Sequence, residues 1–329
     1  MHQQFFTEAI LNQFLTAFLS AALLVGSFSN NARADGVTID QLKTQAEAEY
    51  SMRDYTPQGV AHAQASMAKY SQLLKMTNDA DLIAQFNLGV VKANYFIGDN
   101  GTDKAAQKQI FQDGMNLIDV VLKNYGIADT KVTTLTDALA QSLTAQYSGN
   151  KVKMDILAEA IYQKSANLGQ WGQTDVVGAL FRWPELRNIV DFLTKLSYAS
   201  TDASGKATLV SYKSIHGFAA YRVVGRGFYV IPVLLGGDKA KAEKYLELAF
   251  KSSMAVDASG KTLGFSTNGY NNIYYTDILR SNNKAAQAKA ILAAFVAADP
   301  KDAKVFPSTD ELVDVLKTQK DARDILNKL

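Results

Sequence analysis

The chain has 329 residues, long enough for one large domain or two small ones around a sizeable core. A formal net charge of +2 with 20% charged residues gives no electrostatic case for nucleic acid or an anionic membrane surface, and 47% apolar content argues against disorder. There is no cysteine, which excludes disulfides, thiolate metal sites and cysteine nucleophiles in one step.

The chain opens with FLTAFLSAALLV at 14–25, followed by NNARADG, where Ala32-Arg33-Ala34 forms an A-x-A cleavage site. About 12 apolar residues are too few to cross a hydrocarbon layer of roughly 30 Å as a helix, but they suit a secretory signal. Residues 1–13 lack the usual basic leader. The expectation is a signal peptide over 1–34 and a single mature domain over 35–329. Without a cysteine at the cleavage point the exported chain carries no lipid anchor, so it is expected to be free in the periplasm.

Helical spacing dominates the mature sequence. In LIAQFNLGVVKANYFIG (82–98), Leu82, Phe86, Leu88, Val90, Ala93 and Phe96 make one broad apolar face. AILAAFVAADP (290–300) and ELVDVLKTQKDARDILNKL (311–329) show the same three-and-four spacing. ATLVSY (207–212) and GFYVIPVLL (227–235) are the best strand candidates, the second read as a helix end running into a turn. Loops are expected at GDNGTD, YSGN, NGYNN and the twice-occurring DASGK, where Gly, Asn and Asp supply turn geometry. No Pro/Gly/Ser-rich linker divides the chain. The predicted fold is all-α, roughly a dozen helices.

Internal repetition sharpens this prediction. Gly237-Asp238 stands at an inter-helix turn, followed at spacings of four and three by Ala242, Leu246 and Ala249. Ala288, Leu292 and Phe295 repeat that spacing before Pro300, and Asn87-Leu88-Gly89 fits the first helix of such a unit. The pattern is a degenerate tetratricopeptide-like stack of antiparallel helix pairs, an α-solenoid.

Five fragments form an ordered series: AEYSMRD (48–54), NLGQWG (167–172), FRWPELRNIVDFL (181–193), the stretch 216–250 and the stretch 271–300. Together they resemble the TatT-like T components associated with TRAP transporters. The most specific part is Gly225, Pro232 and the G-G-D at 236–238, with Gly227 adding one residue to the spacing. The resemblance implies cryptic tetratricopeptide pairs, oligomerisation and contact with a periplasmic solute-binding protein. Lipid anchoring, usual in that family, is not implied here because the cysteine is missing.

The tempting chemical motifs mostly dissolve. A phosphate loop requires lysine directly after its second glycine, but Asp238 stands there and repels phosphate. Gly236 and Gly237 instead permit a tight turn, and Asp238 caps the next helix, an effect worth about 1 kcal/mol. SGKT at 259–262 has Ala255 where the loop needs glycine, and VVGRGFYV has Val230 at the third glycine of a dinucleotide pattern. His62 and His216 have no metal-binding spacing, so neither a metal nor a cofactor is expected.

The informative cluster is aromatic and basic. Tyr221, Arg222, Arg226, Phe228 and Tyr229 lie together, as do Tyr270, Asn271, Asn272, Tyr274 and Tyr275. On a helix Arg222, Arg226 and Tyr229 share a face, where an arginine fork suits a carboxylate; Trp171 and Trp183 add apolar area. The competing account is inter-helix packing. The first functional expectation is a non-catalytic periplasmic protein that binds a protein partner. The resemblance makes that partner a TRAP-type solute-binding protein. The alternative is a small apolar or carboxylate ligand in a central cavity lined by Tyr221, Arg226, Tyr229 and Tyr275. The third is a hydrolase using His216.

Overall fold

The computed structural model describes residues 37–131, 133–201, 204–306 and 312–329. The signal sequence and cleavage site expected over 1–34 lie outside the described residues. From Ile39 to Leu329 the chain forms one compact unit.

Twelve α-helices occur among the described residues: α1 (Ile39–Ser51), α2 (Pro57–Leu73), α3 (Ala80–Asp99), α4 (Lys104–Lys123), α5 (Asp137–Tyr147), α6 (Lys151–Thr174), α7 (Val176–Lys195), α8 (Ile215–Val230), α9 (Lys239–Ser252), α10 (Gly269–Ser281), α11 (Ala285–Ala297) and α12 (Leu312–Leu326). Each packs on its neighbour in chain order, except that the short α5 leaves α4 to pair with α6. This is the all-α stack of helix pairs that the spacing predicts. Most starts are capped as the sequence dictates. Thr56, Asp79, Asp103, Thr136, Asn150 and Asp175 each accept a hydrogen bond from a first-turn backbone N–H.

Two small hairpins interrupt the helices, β1 (Ser197–Thr201) with β2 (Ala207–Ser211) and β3 (Met254–Val256) with β4 (Thr262–Ser266). ATLVSY is therefore a strand followed by a 3-10 turn, and each DASGK stretch falls between the strands of one hairpin. NGYNN departs from the loop prediction. Asn268 caps α10 by accepting from the Asn271 N–H, so the helix begins at Gly269. The buried interior offers these asparagines enough carbonyls and N–H groups to satisfy them inside a helix.

The repeat positions do what their size allows. Ala242, Leu246 and Ala249 are buried on α9, as are Ala288, Leu292 and Phe295 on α11. A Cβ on Gly225 would lie 2.8 Å from the Leu246 side chain, so glycine is what lets α8 and α9 approach so closely. The main core runs continuously from α3 to α11, and a second cluster around Phe265, Phe295 and Phe306 lies under α12.

The two ends of the described chain meet. Val313 on α12 packs against Ala63, Phe96 and Ile97 of the first helices. Tyr55, between α1 and α2, donates a hydrogen bond of 3.1 Å to Asp314. An open solenoid would leave its concave face to solvent, whereas this contact closes the wall.

The G-G-D segment is a capping turn. Gly236 adopts φ 97° after the 3-10 turn at Val233–Leu235, and Asp238 accepts from the Lys241 N–H at 2.9 Å to start α9. A Cβ on Gly237 would stand 1.7 Å from the Ile231 carbonyl oxygen. Asp238→Ala is expected to cost about 1 kcal/mol through the lost cap. Gly237→Ala should cost more, on the order of 3 kcal/mol, because backbone must move. Thermal unfolding followed by circular dichroism ranks the two.

Candidate ligand-binding cavity

Helices α1, α3, α6, α7, α8, α10 and α12 surround a cavity of about 560 Å³, within the size range of small-molecule sites. Its wall mixes rings (Tyr50, Tyr95, Phe96, Tyr162, Tyr270, Tyr274) with charged groups of both signs. Val176 and Val230 belong both to the wall and to the exposed surface, so the cavity opens between the first turn of α7 and the turn after α8.

Three cations of the wall are matched by carboxylates. Lys92 lies 3.2 Å from Glu159, Arg226 donates to Asp277 at 2.6 Å, and Arg182 forms a bidentate pair with Glu185 at 2.8 and 3.0 Å. Arg222 differs. It is 7% exposed and forms no ion pair among the described residues. Its Nη1 donates instead to three neutral oxygens, Asn271 Oδ1 at 3.0 Å, Asn268 Oδ1 at 3.1 Å and the His216 carbonyl at 3.3 Å. A guanidinium cannot discharge itself by losing a proton, so it stays a buried cation facing the cavity, with Asp314 on the same wall as a longer-range counter-charge.

The backbone that supplies one of those oxygens is strained. His216, Gly217 and Phe218 all adopt left-handed conformations, with φ of 46°, 64° and 62°. For histidine and phenylalanine this region is unfavourable, and such residues concentrate at functional sites. The turn directs the His216 carbonyl to Arg222 while its Nε2 meets Glu159 at 2.7 Å. The His216 ring packs on Tyr162, with centroids 4.4 Å apart. Burial pulls the Glu159 carboxyl upward, but the charges of His216 and Lys92 outweigh it and hold the group far below the ordinary carboxylate range. No serine or threonine hydroxyl hydrogen-bonds His216 among the described residues.

A second polar group lies where the chain ends meet. Tyr55 bridges Asp314 (3.1 Å), Tyr270 (3.3 Å) and Asp99 (3.5 Å), and Gln170 Nε2 donates to Asp99 at 3.1 Å. Burial raises the carboxyls of both Asp99 and Asp314, and the attraction of Lys317, Arg53 and Arg222 is too weak to offset it. Burial and the two adjacent acids also push the Tyr55 hydroxyl well up, so it remains a neutral donor.

The residues singled out from the sequence divide. Arg222, Arg226 and Tyr274 line the cavity; Trp171, Tyr221, Tyr229, Asn271 and Tyr275 do not. Asn271 stands behind the wall, holding Arg222 and bonding the Gly217 carbonyl at 2.8 Å. Tyr229 and Tyr274 both offer ring faces to Arg226, at 5.1 and 4.9 Å. Tyr221 stacks on Phe218, Tyr275 packs on Phe250 in the core, and buried Trp171 carries the cations of Lys108 and Arg182 on its ring. The packing account therefore fits Tyr221, Tyr275 and Trp171. Their apolar stripes match the interior, and a stripe alone cannot tell core from cavity. Tyr55, Tyr95, Asp99 and Asp314 were not anticipated, because they converge from segments up to 259 positions apart. His62 sits away from the cavity, bonded to Glu49 at 2.8 Å.

No protein-family model and no curated protein matches this chain. Among the described residues no three His, Asp or Glu side chains gather to hold a metal ion, and no helix is long and apolar enough to cross a membrane.

The acidic group has a consequence for pH. A carboxyl raised in the folded state costs nothing while both states are protonated; it lowers stability as the pH rises through its folded value, because the unfolded chain ionises more freely. Asp314→Asn preserves an acceptor for Tyr55 and removes the charge. Its unfolding midpoint should exceed that of the unaltered protein at pH 7, with the difference closing below about pH 4. Thermal melts across that range measure both arms.

Proposed function

We propose that this protein is a non-catalytic helical-repeat binding protein that takes a small organic carboxylate into its central cavity. The observation that carries this reading is Arg222, a buried cation on the cavity wall that forms no ion pair among the described residues. A ligand carboxylate would supply that partner, and the surrounding rings would receive an apolar body. Native mass spectrometry of the purified protein should show a small bound acid. Arg222→Gln, which keeps a side-chain donor but removes charge, should lose the acid or weaken it at least tenfold while helical circular dichroism is retained. Retention of full occupancy would overturn the reading.

A second reading concerns the surface around the cavity mouth. Phe181 and Leu234 are 83% and 98% exposed, and Val176, Val177, Val230 and Val233, on the same two segments, are exposed as well. Where such side chains form one patch they mark an interaction face. Together with the resemblance to TRAP-associated T components, it supports docking of a periplasmic solute-binding protein over the mouth, so that solute passes between two cavities. Export to the periplasm belongs to the same proposal. In a pull-down with a TRAP-type solute-binding protein from the same genome, the double variant Phe181→Ser with Leu234→Ser should bind at least tenfold more weakly. Its thermal midpoint should not fall, because neither side chain contributes to the core.

A further inference from the structure

The cavity wall carries groups of both signs that form no ion pair among the described residues. On the cationic side, Nη1 of Arg222 takes all three of its hydrogen bonds, so Nε and Nη2 donate to no group among the described residues. The Tyr274 hydroxyl, also on the wall, has no hydrogen-bond partner among them. These are donors on the cavity wall with no partner among the described residues, of the kind a carboxylate accepts from.

On the anionic side, Asp99 and Asp314 line the same cavity, and neither forms an ion pair with Lys or Arg among the described residues. The cations nearby are engaged otherwise. Lys317 pairs with Asp321 at 3.1 Å, and Arg53 lies over the Tyr50 ring at 3.8 Å while donating to the Tyr50 carbonyl. Burial raises both carboxyls despite that attraction, and an added positive charge beside them would lower them again. A hard metal cation fits poorly, since calcium takes about six to eight oxygen ligands and magnesium a near-ideal octahedron. An ammonium group needs only about three acceptors, which Asp99, Asp314 and Tyr55 can provide.

We propose that the ligand is a zwitterion whose carboxylate is received by Arg222 and Tyr274 and whose ammonium group is received by Asp99 and Asp314. This rests on reading the cavity as a carboxylate site and adds the second charge. The rings of Tyr95, Phe96 and Tyr270 on the wall favour an aromatic or apolar body. The class is an α-amino acid, or a related amine-bearing acid, with a hydrophobic side chain. Because Tyr55 and Asp314 close the wall, an ammonium bound there also neutralises the contact that joins the chain ends.

The test uses three probes of one shape: phenylalanine, 3-phenylpropanoate and 2-phenylethylamine, titrated calorimetrically against the whole protein at pH 7. Phenylalanine should bind at least tenfold more tightly than either singly charged analogue. In Asp314→Asn and separately in Asp99→Asn, both checked for unaltered helicity, its advantage over phenylpropanoate should shrink severalfold or vanish. Equal binding of phenylpropanoate and phenylalanine would overturn the zwitterion and leave the carboxylate reading intact. An unchanged preference in both asparagine variants would overturn the assignment of the ammonium site. If none of the three probes binds, this proposal falls, and the broader reading is decided by the native mass spectrum.

Discussion

The contact between Tyr55 and Asp314 joins the beginning of the helical stack to its last helix. Helix pairs packed side by side normally make an open array whose concave side faces water. Here Val313 seats against Phe96 and Ile97, and the tyrosine hydroxyl bridges acids from two distant helices. Closure converts a surface into an enclosed wall, and the consequences are electrostatic. Where that wall is buried, every charge on it must find a partner, shift its protonation or remain a cost.

The three outcomes coexist around the cavity. Glu159 finds partners in Lys92 and His216 and is held ionised. Asp99 and Asp314 are pushed toward the neutral form by burial. Arg222 cannot lose its proton and forms no ion pair among the described residues. Its support is built from two asparagine side chains and a carbonyl presented by a left-handed turn. Asn271 itself is fixed from behind by the Gly217 carbonyl and Ser253 Oγ, both at 2.8 Å. Neutral oxygens orient the guanidinium without discharging it.

Much of the architecture was legible because it depends on short-range spacing. The four-and-three pattern of Ala242, Leu246 and Ala249 says which face of a helix is buried, and Asp238 says where that helix starts. The same reasoning separated the glycine pair from a phosphate loop. For NGYNN it failed, since asparagine is a turn residue by local preference and became helical where tertiary neighbours satisfied its amide. For the aromatic-basic cluster it succeeded in part: Arg222, Arg226 and Tyr274 share the cavity wall, whereas Tyr221 and Tyr275 turn to packing partners. A one-dimensional pattern places a residue on a face but does not say what that face meets.

The sequence by itself determined the helices, their caps, the small-residue seams and the arginines worth attention, because each follows from interactions within a few residues. Tertiary structure alone decided that the stack closes, that Asp99 and Asp314 share one hydroxyl, and that Arg222 forms no ion pair among the described residues. Those facts rest on groups brought together from opposite ends of the chain, and the balance of buried charge exists only once they have met.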